Sequence, residues 1–291
     1  MPFSTSGMVF SEQLLITAIT VSVAFFFVLY AYLARKINTS AFIGTFTLGV
    51  VILASLGLRF GYIGLLALLA FFLFGNLVTR YKYNAKALLG VAEGNKGMRG
   101  IPNVLGNGFA PLVFAVLYAV SVSRWSYPTL FLLGFSGAVA TACADTFSTE
   151  IGEAEGNPRL ITTFKKVPVG TSGGVSLPGF GAALLGSALI SLVCLLFVLS
   201  GEEPRILTIF FLVCLLSGFF GSIADSIFGA TIEDKPIYKK RLQTFLQAKS
   251  LTKNALPASQ FRLNKHHVNI LSTLSGGLFA MVLGSFLGVR I

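Results

Sequence analysis

Apolar residues fill this chain in long unbroken blocks, and the charged positions fall almost entirely between them. Several uncharged stretches exceed the roughly 18–20 residues that cross a hydrocarbon core as a helix. They divide into eight predicted spans, at 13–34, 37–58, 60–79, 108–123, 129–150, 177–200, 205–231 and 267–289. The fourth is short, and the sixth belongs to a longer uncharged stretch that starts at Val167. Backbone polar groups in lipid must be satisfied within each segment. The predicted architecture is therefore all-α: a polytopic transmembrane helix bundle, read as a single domain over 1–291.

Composition agrees with the pattern. Hydrophobic residues make up 54% of the chain and charged residues 11%, against about 25% charged in a soluble domain. Cys143, Cys194 and Cys214 all lie inside apolar runs. Without a CxxC or a Cys/His spacing they read as small core residues, not as a disulfide or zinc framework. The opening MPFSTSGMVFSEQ has no basic n-region, so no cleavable signal is expected.

Charge then sets the expected direction. With eight spans, alternate connections share a side. One side collects Arg35 and Lys36; Arg80, Lys82, Lys86, Lys96 and Arg99; and Arg159, Lys165 and Lys166. Its last connection holds Lys235, Lys239, Lys240, Arg241, Lys249, Lys253, Arg262 and Lys265. The other side has only Arg59, Arg124, Arg205 and Arg290 out of 22 basic residues. The positive-inside bias makes the richer side cytoplasmic and puts both termini on the opposite side. It also accounts for the net charge of +11, together with attraction to anionic headgroups of about 1 kcal/mol per Lys or Arg. No recognisable nucleic-acid module accompanies the charge, so a nucleic-acid partner is not expected.

Polar residues inside this pattern become suspects, because charge in hydrocarbon is costly. VATACADTFSTEIGE (139–153) ends a segment with no charge between Trp125 and Ala144. GSIADSIFGATIED (221–234) repeats the Ala-Asp-Thr/Ser triplet eighty residues later. Asp145 and Asp225 thus come late in two spans of the same direction, and a parallel internal repeat is possible. Small residues precede both and allow close helix approach. Two carboxylates at one depth suit Mg²⁺, which takes one or two carboxylates plus water and phosphate oxygens. Ser148, Thr149 and Gly152 follow Asp145 at i+3, i+4 and i+7, on one helix face. Glu150 falls on another face or just past the helix end. The plainer alternative is a buried Asp that hydrogen-bonds a neighbouring helix.

The connection KKVPVGTSGGVSLPG (165–179) lies on the same expected face. Gly170, Gly173 and Gly174, with Thr171 and Ser172, form a turn whose N–H groups precede a helix start, an anion-binding arrangement. Lys165 and Lys166 add positive charge. It is not a Walker A loop, and a plain re-entrant connection is the alternative. IPNVLGNGFAPL (101–112) brings Asn107, as a phosphate or metal-shell contact or as a helix cap. NKHHVNILS brings His266, His267 and Asn269; adjacent histidines cannot share one helix face, so a paired metal site is not expected.

PRLITTFKKVPVGTSGGVSLPG, ADTFSTEIG, GSIADSIFGAT and the Asn107-Gly108 approach resemble a family of integral membrane proteins labelled as a domain of unknown function. That family includes plant phytyl-phosphate kinase and an animal multi-spanning protein of similar size. The resemblance covers about residues 97–283 and leaves the spans of 1–96 as the more variable part. It implies phosphorylation of a long-chain isoprenyl monophosphate by a nucleoside triphosphate, with CTP as a candidate donor. Asn107, Asp145, Ser148, Glu150, Pro168, Gly170, Thr171, Gly173, Gly174, Asp225 and Asn269 match the family's motifs. Ser172 and His266 depart from them, where Asn is expected at both.

The expected function is that of a multi-pass, Mg²⁺-dependent prenyl-phosphate kinase with its active face toward the cytosol. Asp145 and Asp225 hold the metal. Lys165, Lys166 and the 170–174 turn neutralise the transferring group, and Ser148, Thr149, Asn107 and Asn269 contact phosphate. Glu150 either orients the acceptor or joins the metal shell. The acceptor is already an anion, so no strong base is required. A transporter of a small or lipid-linked solute and a lipid-phosphate cytidylyltransferase are the rival expectations.

Overall fold

The computed structural model describes residues 5–94, 97–124, 128–199, 203–233 and 263–289. Its helices are α1 (Thr5–Leu33), α2 (Thr39–Arg80), α3 (Tyr83–Leu88), α4 (Ile101–Arg124), α5 (Pro128–Glu155), α6 (Leu177–Cys194), α7 (Pro204–Thr231) and α8 (Lys265–Phe286). All but α3 are long and apolar enough to cross a membrane. Two short antiparallel strands, β1 (Arg159–Leu160) and β2 (Gly174–Val175), lie between α5 and α6.

The 42 residues of α2 would extend about 63 Å as one straight helix, twice a hydrocarbon core. They do not run straight. Gly57 adopts φ 67, ψ 179, a conformation open to glycine and strained for other residues. A Cβ on Gly61 would sit 2.7 Å from the Leu53 carbonyl oxygen, and one on Gly49 would sit 3.4 Å from Leu65. In a straight helix residues sixteen apart are separated by about 24 Å. Gly44 and Gly75 also both approach the start of α4, at Ile101 and Arg99. Residues 39–56 and 58–80 are therefore an antiparallel pair. The described residues thus hold eight segments of about spanning length, and the break expected between 58 and 60 falls at Gly57.

Other boundaries shift outward. α4 starts at Ile101, ahead of the expected 108, because Pro102 suits a first helical turn and Asn103 Oδ1 accepts the Gly100 N–H at 3.2 Å. That places Asn107 within the helix, not at its cap. α5 continues to Glu155, carrying the carboxylates of Glu150 and Glu153 on regular helix. α3 was not expected; it sits in the connection between α2 and α4.

α5 is the central helix, with 78% of its apolar window buried. It packs parallel to α7 at an offset of eighty residues. A Cβ on Gly137 would sit 3.3 Å from Ser217 Cβ, and one on Gly221 would strike Thr141. Thr141 Oγ1 donates to the carbonyls of Gly137 (2.8 Å) and Ser217 (3.3 Å). The same offset relates Asp145 to Asp225, so the repeated triplet reports a true difference in register. α8 runs antiparallel to α5, with Gly137 against Gly276 and Ala280. Small residues at these crossings bring backbones close enough for dispersion and hydroxyl–carbonyl bonds to hold the bundle.

The connections 34–38, 81–100 and 156–176 share one end of the bundle with the start of α8, because Ile37 pairs with Arg99 and Glu233 with Leu263. Gly57 and the start of α7 lie at the other end. Arg35, Lys36, Arg80, Lys82, Lys86, Arg99, Arg159, Lys165, Lys166 and Lys265 stand at the first end. The remaining basic residues assigned to it, Lys96, Lys235, Lys239, Lys240, Arg241, Lys249, Lys253 and Arg262, lie outside the described residues, as does Arg290 of the opposite side.

Candidate functional site

At that basic end the helices part around a cavity of about 910 Å³. α5 contributes Asp145, Ser148, Thr149, Glu150, Gly152 and Glu153 to its wall, and α7 contributes Asp225 and Ser226. The carboxyl groups of Asp145 and Asp225 meet within hydrogen-bonding reach. Asp225 Oδ1 is buried and accepts no hydrogen bond from the described residues. The Ser272 hydroxyl lies beside Asp225 and within 3.1 Å of the Asn269 carbonyl. Asp145 is seventeen residues from the far end of α5, about 26 Å, and ten from its near end, about 15 Å. Asp225 is six residues, about 9 Å, from the end of α7. The pair thus lies nearer the basic end of the bundle than the opposite end.

The glycine-rich turn closes over this pair. Gly170 and Gly173 have φ 79 and 76, and β1 pairs with β2 to close the loop. A Cβ on Gly173 would sit 2.5 Å from Ala230 Cβ, so the turn's backbone lies directly on the end of α7. The turn spends two of its own donors internally: Thr171 N–H on the Pro168 carbonyl and Gly174 N–H on the Thr171 carbonyl. Among the described residues the N–H groups of Gly170, Ser172 and Gly173 make no hydrogen bond. All five residues 170–174 line the cavity. The helix start behind them is occupied differently, since Ser176 Oγ caps α6 by accepting the Gly179 N–H at 3.2 Å.

Asn107 and Asn269 complete a third wall and bond to each other, Nδ2 of Asn269 donating to Asn107 Oδ1 at 3.3 Å. Both line the cavity, as does His266, whereas His267 is exposed. The adjacent histidines therefore face apart, their N–H groups both capped by Asn264 Oδ1 at 3.0 Å. Lys165 and Lys166 are not brought to the cavity. They lie on the exposed side of the hairpin, because Leu160 N–H bonds the Lys165 carbonyl and Lys166 pairs with Arg159.

The charges that do reach the cavity came largely from residues the sequence did not single out. Six of the chain's eleven acidic residues line it: Asp145, Glu150, Glu153, Asp225, Glu93 and Glu233. Among the described residues the lining Lys and Arg are only Arg99 and Lys265. Lys265 pairs with Glu93 at 3.1 Å, and Asn103 Nδ2 donates to Glu93 at 3.4 Å. Burial pushes the Glu93 carboxyl up, but Lys265, Asn103 and Arg99 outweigh it and hold it below the usual carboxylate value. Glu150 is paired from behind with the fully buried Lys86 of α3. No periodic signal marks Lys86, Arg99 or Glu93. The available clue was scarcity: with so few acids in the chain, each one on the basic side is a suspect.

Among the described residues no group of three or more His, Cys, Asp or Glu forms a cage for a metal. The Asp145–Asp225 pair, with one buried oxygen lacking a donor, fits a hard cation that completes its shell with water and substrate oxygens.

A family model described as Integral membrane protein DUF92 matches residues 22–288. The chain belongs to that family. An uncharacterized membrane protein of Methanocaldococcus jannaschii is 31% identical over 252 residues, 86% of this chain and 87% of that protein. Protein VTE6, chloroplastic, of Arabidopsis thaliana is 38% identical over 182 residues, 62% of this chain and 53% of its own length. The chain thus matches about half the length of VTE6. Protein PGR of the same plant is 32% identical over 219 residues, 70% of this chain and 74% of PGR. No solved structure matches the chain. In this DUF92 protein the matched span takes in every wall of the cavity.

Proposed function

We propose that the protein is a membrane prenyl-phosphate kinase that moves the terminal phosphoryl group of a nucleoside triphosphate onto an isoprenoid monophosphate. The observation that carries this reading is the meeting of Asp145 and Asp225 beneath the 170–174 turn, at one end of a membrane bundle. The family resemblance and the similarity to VTE6 support it. CTP is a candidate donor, and the basic end is proposed to face the cytosol.

Asp145 and Asp225 would hold Mg²⁺, which supplies charge neutralisation at the donor phosphates. An acceptor phosphate oxygen forms the new P–O bond as the bridging oxygen leaves with the nucleoside diphosphate. No side chain need remove a proton, because the acceptor is already an anion. The free N–H groups of the turn point the reaction toward electrostatic stabilisation by fixed donors. Asn107, held by Asn269, and Ser148 border the same space and position phosphate oxygens. Glu150, fixed by Lys86, shapes the wall beside them.

The test is turnover by purified protein with γ-labelled nucleotide and a panel of prenyl monophosphates. Label from the γ-phosphate in a lipid diphosphate supports the kinase. Label from the α-phosphate identifies a cytidylyltransferase, and uptake into sealed vesicles without turnover identifies a transporter. Asp145→Asn and Asp225→Asn are each expected to lower the rate on the order of a thousandfold while leaving insertion and melting intact. Near-normal turnover in either variant removes that residue from the metal site.

A further inference from the structure

The cavity proposed to accept polyanions is itself crowded with carboxylates, and among the described residues its cations are almost all committed. Lys265 gives its ammonium to Glu93. Lys86 gives its own to Glu150 and to the Thr79 carbonyl. Lys165 and Lys166 stand outside. Arg99 is the exception. It lines the cavity; the carboxylates of Glu93 and Glu150 act on it through space, but among the described residues its side chain makes no hydrogen bond and closes no ion pair.

Its position is nevertheless tightly set. The Arg99 backbone is anchored on both sides, its N–H to the Lys36 carbonyl at 2.9 Å and its carbonyl from the Asn38 N–H at 3.1 Å. The guanidinium carbon lies 5.4 Å from the centre of the Phe71 ring. Nη2 would be 2.7 Å from a Cβ on Gly75, so the absence of a side chain there is what admits it. A guanidinium carries five N–H donors in a planar fork that matches phosphate oxygens two at a time. Glu93 and Glu150 offset part of its charge from a distance, but a half-buried fork with its donors unspent is costly unless a ligand supplies the acceptors. Phe71 covers one face and contributes cation–π attraction, but it accepts none of the in-plane hydrogen bonds.

We infer that Arg99 is the phosphate-gripping residue of the cavity, taking a phosphate or diphosphate group in bidentate fashion between the Asp145–Asp225 pair and the α2–α4 junction. It replaces in this role the two lysines that the sequence pattern favoured. The inference rests on the kinase reading for which phosphate is bound, donor or acceptor, but not for the anion seat itself.

The probes are inorganic pyrophosphate with Mg²⁺ and, separately, geranylgeranyl monophosphate, each titrated against the detergent-solubilised full-length protein with its melting temperature as readout. Wild type is expected to be stabilised by at least one probe. Arg99→Gln should weaken that apparent affinity about ten- to a hundredfold, the scale of a lost charge-assisted pair. Arg99→Lys should fall between, keeping the charge and losing the fork. The anion-free melts of both variants report whether the fold is intact, and Gly75→Ala, which crowds the guanidinium, gives a second route that leaves Arg99 in place. Equal protection of wild type and Arg99→Gln, or no protection of wild type by either probe, overturns the assignment. Loss of protection in Arg99→Gln by a protein that shows no γ-label transfer leaves the anion seat standing and removes the kinase reading instead.

Discussion

Replacing Lys86 by Met should expose how much of the site's shape rests on one buried ion pair. The Lys86 side chain is completely buried and that of Glu150 is 10% exposed. Removing one member of such a pair leaves the other charge without compensation and costs about 3–5 kcal/mol. Lys86→Met also strips the Thr79 carbonyl of the ammonium that reaches it at 3.1 Å, a further penalty of about 1–3 kcal/mol for a buried acceptor. Glu150→Met alone leaves the ammonium stranded, again at about 3–5 kcal/mol. In the double variant both charges are gone, and only the Thr79 carbonyl remains unmatched, at about 1–3 kcal/mol. The two singles should therefore sum to well over twice the loss in the double. Each single should melt roughly 10 °C below wild type in detergent, with the double recovering most of that interval. A double variant as unstable as the sum of the singles would show that the pair is solvated and that α3 is not pinned to α5 through it.

Three further outcomes follow from particular contacts. Gly173→Ala combines a φ of +76 with a Cβ 2.5 Å from that of Ala230; it should cost about 2–3 kcal/mol and displace the turn, read as a lowered melt together with weakened nucleotide protection. Glu93, with its carboxyl held below the ordinary value, adds stability above about pH 4.3 that is lost as pH falls through its lower folded value; Glu93→Gln should flatten that acid limb in a melt-versus-pH series. Cysteines introduced at exposed Phe164 and Leu287 in a background lacking Cys143, Cys194 and Cys214 should be labelled from opposite sides of sealed vesicles, Phe164→Cys from the cytosolic side; the reverse pattern inverts the proposed orientation.

The bundle was legible because its signals are local. Charge-free length gave the spans, and the basic asymmetry paired the connections that the structure brings to one end. The Gly57 reversal was visible only as a soft boundary, since the chain turns on one residue and Arg59 lies just beyond it. The Asp145–Asp225 register was legible for another reason: an eighty-residue offset in sequence became an eighty-residue offset in packing, because α5 and α7 run parallel through Gly137, Thr141, Ser217 and Gly221. Lys86, Glu93 and Arg99 were not legible. Each owes its place to a partner 64 to 172 residues away or to a seat formed by Phe71 and Gly75. In sequence they look like ordinary basic or acidic residues of a connecting loop. The same local logic misplaced the role of Lys165 and Lys166, whose nearness to the turn along the chain does not become nearness to the cavity.

The charge count of the cavity constrains any chemistry proposed for it. Among the described residues six carboxylates face two fixed cations, and one of those cations is already matched by Glu93. A triphosphate entering such a space meets repulsion unless divalent cations enter with it. Anion binding and cation binding must then be coupled, each raising the affinity of the other by the same factor. Pyrophosphate should protect the protein weakly without Mg²⁺, while the two together protect more than the sum of each alone. A transporter of a cationic solute would break this coupling, because pyrophosphate would add nothing to the protection that a cation gives alone. The four-corner melting experiment therefore separates the two classes of function before any product is measured, and it does so through the same acids that make the cavity unusual in so basic a chain.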